Sequence, residues 1–323
     1  MLMPRVLACM FFVGVTVLGA DRVSAQGYPN KPIRIVTSQP GGGTDFVARL
    51  IAQGISGPLG QPVIVDNRGG GSGAVAGEIV AKAQPDGYTL LSYGPAIWIM
   101  PLLRSNVPYD PVKDFSPISL TDSSPNVLVV YPTVPAKSVK ELIALAKSKP
   151  GALNYARAAA GGPTHLSAEL FKAMAGVDIV PIAFRGGGPA VIGMLGGQCC
   201  QLMFATAASV TAHVKSGKLR ALAVTSAQPS ALFPGMPTVA ATLPGFKSEL
   251  INGIFATAGT PAAVINRLNR EIVQFLNRAD VKERFFKAGV EIVGSSPQQL
   301  GATIKSELAT WGKVIKNAGI RDE

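Results

Sequence analysis

The chain has 323 residues, 47% of them hydrophobic and 15% charged, with 30 Lys and Arg against 19 Asp and Glu and a net charge of +11. That length and apolar content suffice for two domains with proper cores. The basic excess is spread thinly, with no Lys/Arg run interleaved with aromatics, so nucleic-acid binding is excluded. What remains is a solvated basic surface or a diffuse attraction for anionic solutes.

Residues 1–25 read as a secretory signal peptide. Arg5 precedes the apolar run VLACMFFVGVTVLGA, and Val23-Ser24-Ala25 has the small-x-small form of a cleavage site, which predicts an exported protein beginning at Gln26. Loss of Arg5, Arg22 and Asp21 lowers the formal charge from +11 to +10. VLAC at Val6 to Cys9 is not a lipid-attachment box, because the apolar segment follows Cys9 instead of preceding it. No later stretch is long and uncharged enough to cross a bilayer. The remaining cysteines, Cys199 and Cys200, are adjacent; placed on a strand they point to opposite faces, which disfavours a mutual disulfide and predicts two thiols.

In chain order, a strand at 33–38 (IRIVTS) runs through QPGGGTD into a helix near 45–55. A second strand at 62–67 (PVIVDN) runs through RGGGSG into AVAGEIVAKA, and YTLLSYG (88–94) follows as a third. After a Pro-rich passage at 107–117, a second block opens with NVLVVYP (126–132). Ser138 and Glu141 form a capping box before VKELIALAKSK. LNYARAA (153–159) leads through AGGPTH into a helix that Gly176 ends, and DIVPIAF (178–184) leads into RGGGPAVIGMLGGQ, where Pro189 suits a first turn. CCQLMFA (199–205) and LRALAVTS (219–226) complete the strands. Thr260-Pro261 and Ser296-Pro297 then start two long amphipathic helices, whose stripes, Trp311 included, read as core.

This alternation predicts an α/β fold with a largely parallel sheet, binding in a crevice at the carboxyl ends of the strands. Two blocks of similar build predict two lobes joined by a hinge. Residues 26–124 and 226–323 form a discontinuous first lobe and 125–225 the second.

Glycines between a strand and a helix bring backbone N–H groups close to something negative, although one such loop alone is more often a turn device. Three loops in equivalent places tip the reading toward ligand. A dinucleotide fingerprint is imitated by Gly41-x-Gly43 with Asp66 ending the next strand, but Phe46 stands where a small residue must let helix and strand approach. There is no phosphate-binding G-x-x-x-x-G-K-[ST] loop and no G-x-S-x-G elbow. Only His165 and His213 are available to a triad, and the vicinal cysteines lack zinc-ligand spacing, so neither catalysis, cofactor nor metal is expected.

The chain resembles the periplasmic solute receptors of tripartite tricarboxylate transporters, the Bug-type receptors. The resemblance is carried in order by YPNKPIRIV, PGGGTDFVARLIA, GQPVIVDNRGGGSGAVAGEIVAKAQPDGYTLL, YDPVKDFSPIS, FRGGGPAVIGMLGGQ, SGKLRALAVTS, MPTVA and IFATAGTPAAVINRLN, across the whole exported chain. It implies a two-lobed periplasmic binding protein fold, type II-like, closing on a small di- or tricarboxylic or aromatic acid. A monomer would then deliver that acid to permease subunits in the membrane. It also implies that Gln39, Gly42, Gly43, Thr44 and Asp45 form the first-lobe contact, facing Ala159, Gly161, Pro163, Thr164 and His165, with Arg185 and Gly186 beginning a third loop.

Several roles stay open at this point. Asp45 either touches solute or favours the helix start through the dipole, and His165 is either a binding group or a partner of its own loop. Arg185 either pairs with a ligand carboxylate or sits exposed beside it. Ile97, Trp98 and Ala205 are candidates for the selective far end of the cleft. Ala205 stands where many relatives carry an acid, and ARAAAGGPTH has three alanines where serine and glycine are usual, so a ligand ammonium group is disfavoured. The same crevice could report occupancy to a membrane sensor instead of a permease.

Overall fold

The computed structural model describes residues 27–41, 43–69, 73–158, 161–184, 187–197 and 199–320. The signal segment, Gly42, Ala159, Arg185 and Gly186 lie outside the described residues.

The first block runs β1 (Ile33–Thr37), α1 (Gly43–Leu59), β2 (Val63–Asn67), α2 (Ala74–Ala81), β3 (Thr89–Tyr93), α3 (Ala96–Leu103) and the long β4 (Phe115–Val130). The second runs α4 (Val139–Ser148), β5 (Asn154–Arg157), α5 (Pro163–Ala175), β6 (Val180–Ala183), α6 (Gly187–Leu195), β7 (Leu202–Thr206), α7 (Ala207–Lys215) and β8 (Arg220–Val224). The chain then returns through β9 (Glu249–Thr257), α8 (Ala262–Leu276), α9 (Ala279–Lys287), β10 (Glu291–Ile292) and α10 (Pro297–Ala318). The architecture is a two-lobed α/β fold.

β1 pairs in parallel with β2 and β3, and β5 in parallel with β6 and β7. Between these groups the sheet is antiparallel, so the largely parallel sheet expected from sequence is corrected to a mixed one. The cause is the pair of strands that join the lobes. β4 opposes β9 from Phe115 to Pro125, then opposes β7 and β8 from Asn126 and Val127 onward. β4 carries the chain out of the first lobe and β9 brings it back, so the two must run in opposite directions.

Apolar positions account for the layers. Ile33 and Ile35 of β1, Ile51 and Ile55 of α1, Leu268 and Ile272 of α8 and Phe285 of α9 form one buried cluster on the first lobe. Val127, Val129, Met194, Met203 and Val210 form another on the second. A third, from Leu91 and Trp98 through Phe255 to Leu128, Tyr155 and Phe171, runs continuously beneath both lobes. Each such side chain contributes about 1.5–3 kcal/mol when fully buried. α10 covers this shared face and packs on β4, α3 and α5. Its start is fixed by Ser296 and Gln299, whose side chains and backbone N–H groups cap each other reciprocally, with Pro297 in the first turn.

Candidate functional site

The loop after β1 is built by Asp45. Gly41, at φ 82°, donates its N–H to Asp45 Oδ2 at 2.9 Å. Asn67 Nδ2 donates to Asp45 Oδ1 at 2.7 Å, and Arg49 Nε to Oδ2 at 3.1 Å. Burial pushes the Asp45 carboxyl up, but the hydrogen bonds from Asn67, Arg49 and Gly41 outweigh it and hold the group ionised below its ordinary value. The carboxylate therefore faces its own loop. The N–H groups of Gly43 and Thr44, in the first turn of α1, have no intrahelical acceptors and remain for an outside partner. Gln39 is exposed and is not among the residues lining the cavity between the loops.

Thr44 Oγ1 reaches Asn252 Oδ1 on β9 at 3.4 Å. Asn252 is fixed in turn by donating Nδ2 to Asp122 Oδ2 at 2.7 Å. Burial pushes Asp122 up to about 6, against the lowering effect of bonds from Thr121 and Asn252.

The facing loop after β5 repeats the device. Gly161, at φ 67°, donates its N–H to His165 Nδ1 at 3.0 Å, and the Ala158 N–H donates to Thr164 Oγ1 at 3.1 Å. His165 Nε2 stands 4.0 Å from Glu169 Oε1, which accepts from Tyr155 OH at 2.6 Å and Lys172 Nζ at 2.9 Å. Burial and the Arg157 cation lower His165 to about 4, so the ring is neutral at pH 7 and accepts at Nδ1. Pro163 opens α5, and Thr164 presents a first-turn N–H with no intrahelical acceptor.

Between the loops lies a cavity of about 270 Å³. Thr44 lines it at the start of α1, Ala96 at the start of α3 and Pro163 at the start of α5, so three helix N-termini open on one space. Among the described residues no Lys or Arg lines it. Attraction for an anion comes from the helix ends, each carrying a partial positive charge of about half a unit. The walls are apolar at Ile99, Met100 and Leu103 of α3, Leu166 of α5 and Trp311 of α10, and polar at Tyr93, Ser248, Glu249 and Glu307.

Of the residues expected from sequence, Thr44, Gly161 and Pro163 line this cavity, with Gly43 and Thr164 adjoining them. Asp45 and His165 turn into their own loops. Ile97, Trp98 and Ala205 are assigned to the core instead. Trp98 is 1% exposed with its ring against Phe255, and Ala205 is fully buried opposite Val127. The phase of α3 turns Ile99, Met100 and Leu103 to the cleft. Those residues, Tyr93 to Ala96, Gly162, Leu166, the β9 entry at Ser248 to Leu250, and Glu307 and Trp311 are the lining residues that sequence reading missed. The apolar run AIWIMPLL, directly after a strand, was the available signal.

The Cys199 and Cys200 thiols are free, and their Sγ atoms lie 3.3 Å apart. The opposite-face expectation is corrected, because β7 starts only at Leu202 and the bend before it brings the side chains together. Phe46 packs on Phe285, and Asp66 pairs with Arg34 and Arg68, which leaves neither for a dinucleotide. Among the described residues no group of three His, Cys, Asp or Glu is placed to hold a metal ion, and no helix is long and apolar enough to cross a membrane.

A cleft between two α/β lobes, with helix ends opening on it from both, is the arrangement of the periplasmic binding proteins, and solved structures of that class superpose on this chain. The chain belongs to the family described as Tripartite tricarboxylate transporter family receptor, which matches residues 47–320. Protein BugT of Bordetella pertussis is 37% identical over 323 residues, 99% of each chain. A solved R. palustris protein with adipate is 35% identical, with a TM-score of 0.75 over 91% of this chain and 99% of that one. MatC from Rhodopseudomonas palustris with bound malate is 29% identical, with a TM-score of 0.71 over 89% and 100%.

Proposed function

We propose that this chain is a periplasmic receptor that holds a small organic carboxylate between its lobes and hands it, chemically unaltered, to a membrane permease of the tripartite tricarboxylate type. The observation that carries the reading is the cavity shared by both lobes, on which the N-termini of α1, α3 and α5 open with no cationic side chain among the described residues lining it. First-turn N–H groups of Gly43 and Thr44 take one side of the carboxylate, and the Thr164 N–H and Gly161 take the other. Gly42, Ala159, Arg185 and Gly186, carried over from the family resemblance, are proposed as further contacts. Relatives of the same fold with adipate and with malate support a carboxylate. Residues 1–25 act as the export signal and are removed.

The lobes move about two strands. One crossing lies where β4 changes partners between Pro125 and Asn126, and the other lies at the entry to β9. The return crossing belongs near 247–249 instead of 226, because Phe233 packs in the second-lobe cluster. A ligand touching both lobes shifts the population toward the closed form in proportion to its extra contacts there.

Calorimetric titration with a panel of organic acids tests the reading. Gly43→Pro removes one first-turn donor at a position where proline suits a helix, and weakens acid binding by about tenfold. Absence of binding by every acid, or turnover of any of them, overturns the proposal.

A further inference from the structure

The cavity is unequal along its length. At the α1 N-terminus, Asn252 of β9 meets Thr44. Glu249 lies three residues earlier on the same strand, about 10 Å away at the rise of an extended chain. It lines the same cavity, and so does Glu307 of α10. Ile99, Met100, Leu103, Leu166 and Trp311 make the apolar part of the cavity wall.

Both acids already have partners. Glu249 holds Lys247 at 3.2 Å, and Glu307 Oε2 accepts from Trp311 Nε1 at 2.6 Å. Burial raises Glu307, the bond from Trp311 and the Lys247 cation lower it in part, and the Glu249 charge raises it, so both carboxyls and Lys247 sense one another. Sequence reading took the alanine at position 205 as the loss of an acid from the cleft. The structure supplies two acids from β9 and α10, engaged by Lys247 and Trp311.

We propose that the cleft is selective for a monocarboxylate with an apolar body and an uncharged distal end, and that Glu249 and Glu307 exclude acids carrying a second terminal carboxylate. The inference rests on the carboxylate reading above and deepens it. The ligand's one carboxylate sits on the helix ends, its ring or aliphatic body fills the apolar middle, and its far end meets like charge if it is acidic. A cavity of about 150 Å³ holds a benzene ring; the 270 Å³ here holds that and a carboxylate. Desolvating a second carboxylate beside two others costs more than its contacts return. A distal ammonium gains little, because Glu249 and Glu307 are already partnered.

Titration of the purified protein at pH 7 with hexanoate, adipate and 6-aminohexanoate decides the matter. Hexanoate is expected to bind about tenfold or more tighter than either of the others. The double variant Glu249→Gln/Glu307→Gln is expected to narrow the hexanoate-to-adipate ratio to about threefold or less, through a gain in adipate affinity. Adipate or 6-aminohexanoate binding as tightly as hexanoate to the unmodified protein overturns this inference and leaves the carboxylate reading intact. An unchanged ratio in the double variant removes the role of the two acids. Binding of none of the three overturns this inference, and the carboxylate reading falls with it only if the wider acid panel also fails to bind.

Discussion

Gly41 and Gly161 open the two cleft loops with the same bond and different chemistry. Each has a positive φ, and each donates its N–H to a side chain four residues on, Asp45 in the first lobe and His165 in the second. In the first lobe the acceptor is a carboxylate balanced by Arg49; in the second it is an imidazole kept neutral by burial. Both acceptors hold the loop ahead of the helix, so that the following first-turn amides stand free for an outside anion. Neither adds net positive charge, which leaves attraction to the helix ends.

The two glycines differ most in what surrounds them, and substitution should separate them. A Cβ on Gly41 meets nothing within 4 Å, whereas one on Gly161 overlaps Leu103 Cδ1 of the first lobe. Gly41→Ala should cost only the left-handed backbone strain, about 1–2 kcal/mol. Gly161→Ala adds overpacking between the lobes and should cost about 3 kcal/mol or more. In a Leu103→Ala background the extra cost should vanish, a coupling that urea unfolding of the double-mutant cycle reads directly. Equal losses at the two glycines would show that the lobes do not meet there.

A pH series sharpens the contrast between the buried groups behind the two loops, His165 in the second lobe and Asp122 in the first. His165 ordinarily titrates at 6.5 but near 4 in the fold, so the unfolded chain takes the proton first; its contribution is present above pH 6.5 and is lost as pH falls toward 4, about 3 kcal/mol in all. Asp122, beneath the first loop's partner Asn252, has the opposite sign. Its value rises from 3.8 to about 6, so the folded chain takes the proton first and stability is lost as pH rises between those values, by a similar amount of about 3 kcal/mol. The two slopes offset in the unmodified protein. His165→Asn should therefore lose stability as pH rises from 4 to 6, and Asp122→Asn should lose it as pH falls from 6.5 to 4. Parallel profiles for the two variants in urea unfolding would contradict both assignments.

Much of this contrast was legible in the sequence, because glycine and proline mark helix starts by backbone geometry alone. QPGGGTD and AGGPTH pointed to α1 and α5, and Ser296-Pro297 to α10. Only the second half of β4 was legible, as NVLVVYP; its first half contains Pro117 and Pro125, which disfavour a strand, yet one sits at a register shift and the other where the strand changes sheets. β9 showed no alternation, since it is buried on both faces around Asn252 and Gly253. The cleft wall was hidden for a different reason. Leu103 and Trp311, 9% and 3% exposed, have the same sequence pattern as core residues, and only the tertiary arrangement opens a cavity beside them.

The smallest expected effect is also the one that separates clamp from charge. Asp45→Asn keeps one acceptor for the Gly41 N–H but sets an amide donor against Asn67 Nδ2 and abandons the Arg49 pair, half of which is solvent-exposed. The loss of stability should be about 1–2 kcal/mol. Coulomb's law alone predicts tighter acid binding, because a negative charge has left the anion's side of the cleft. The hydrogen-bond geometry predicts weaker binding, because the loop that aims the Gly43 and Thr44 amides has lost its anchor. Asp45 is nearly buried, its charge is balanced by Arg49, and it faces away from the cavity, so geometry should prevail and affinity for hexanoate should fall by about threefold to tenfold. A rise in affinity would show that Asp45 acts on the ligand through its charge, and that the two loops are held by more than a shared bond.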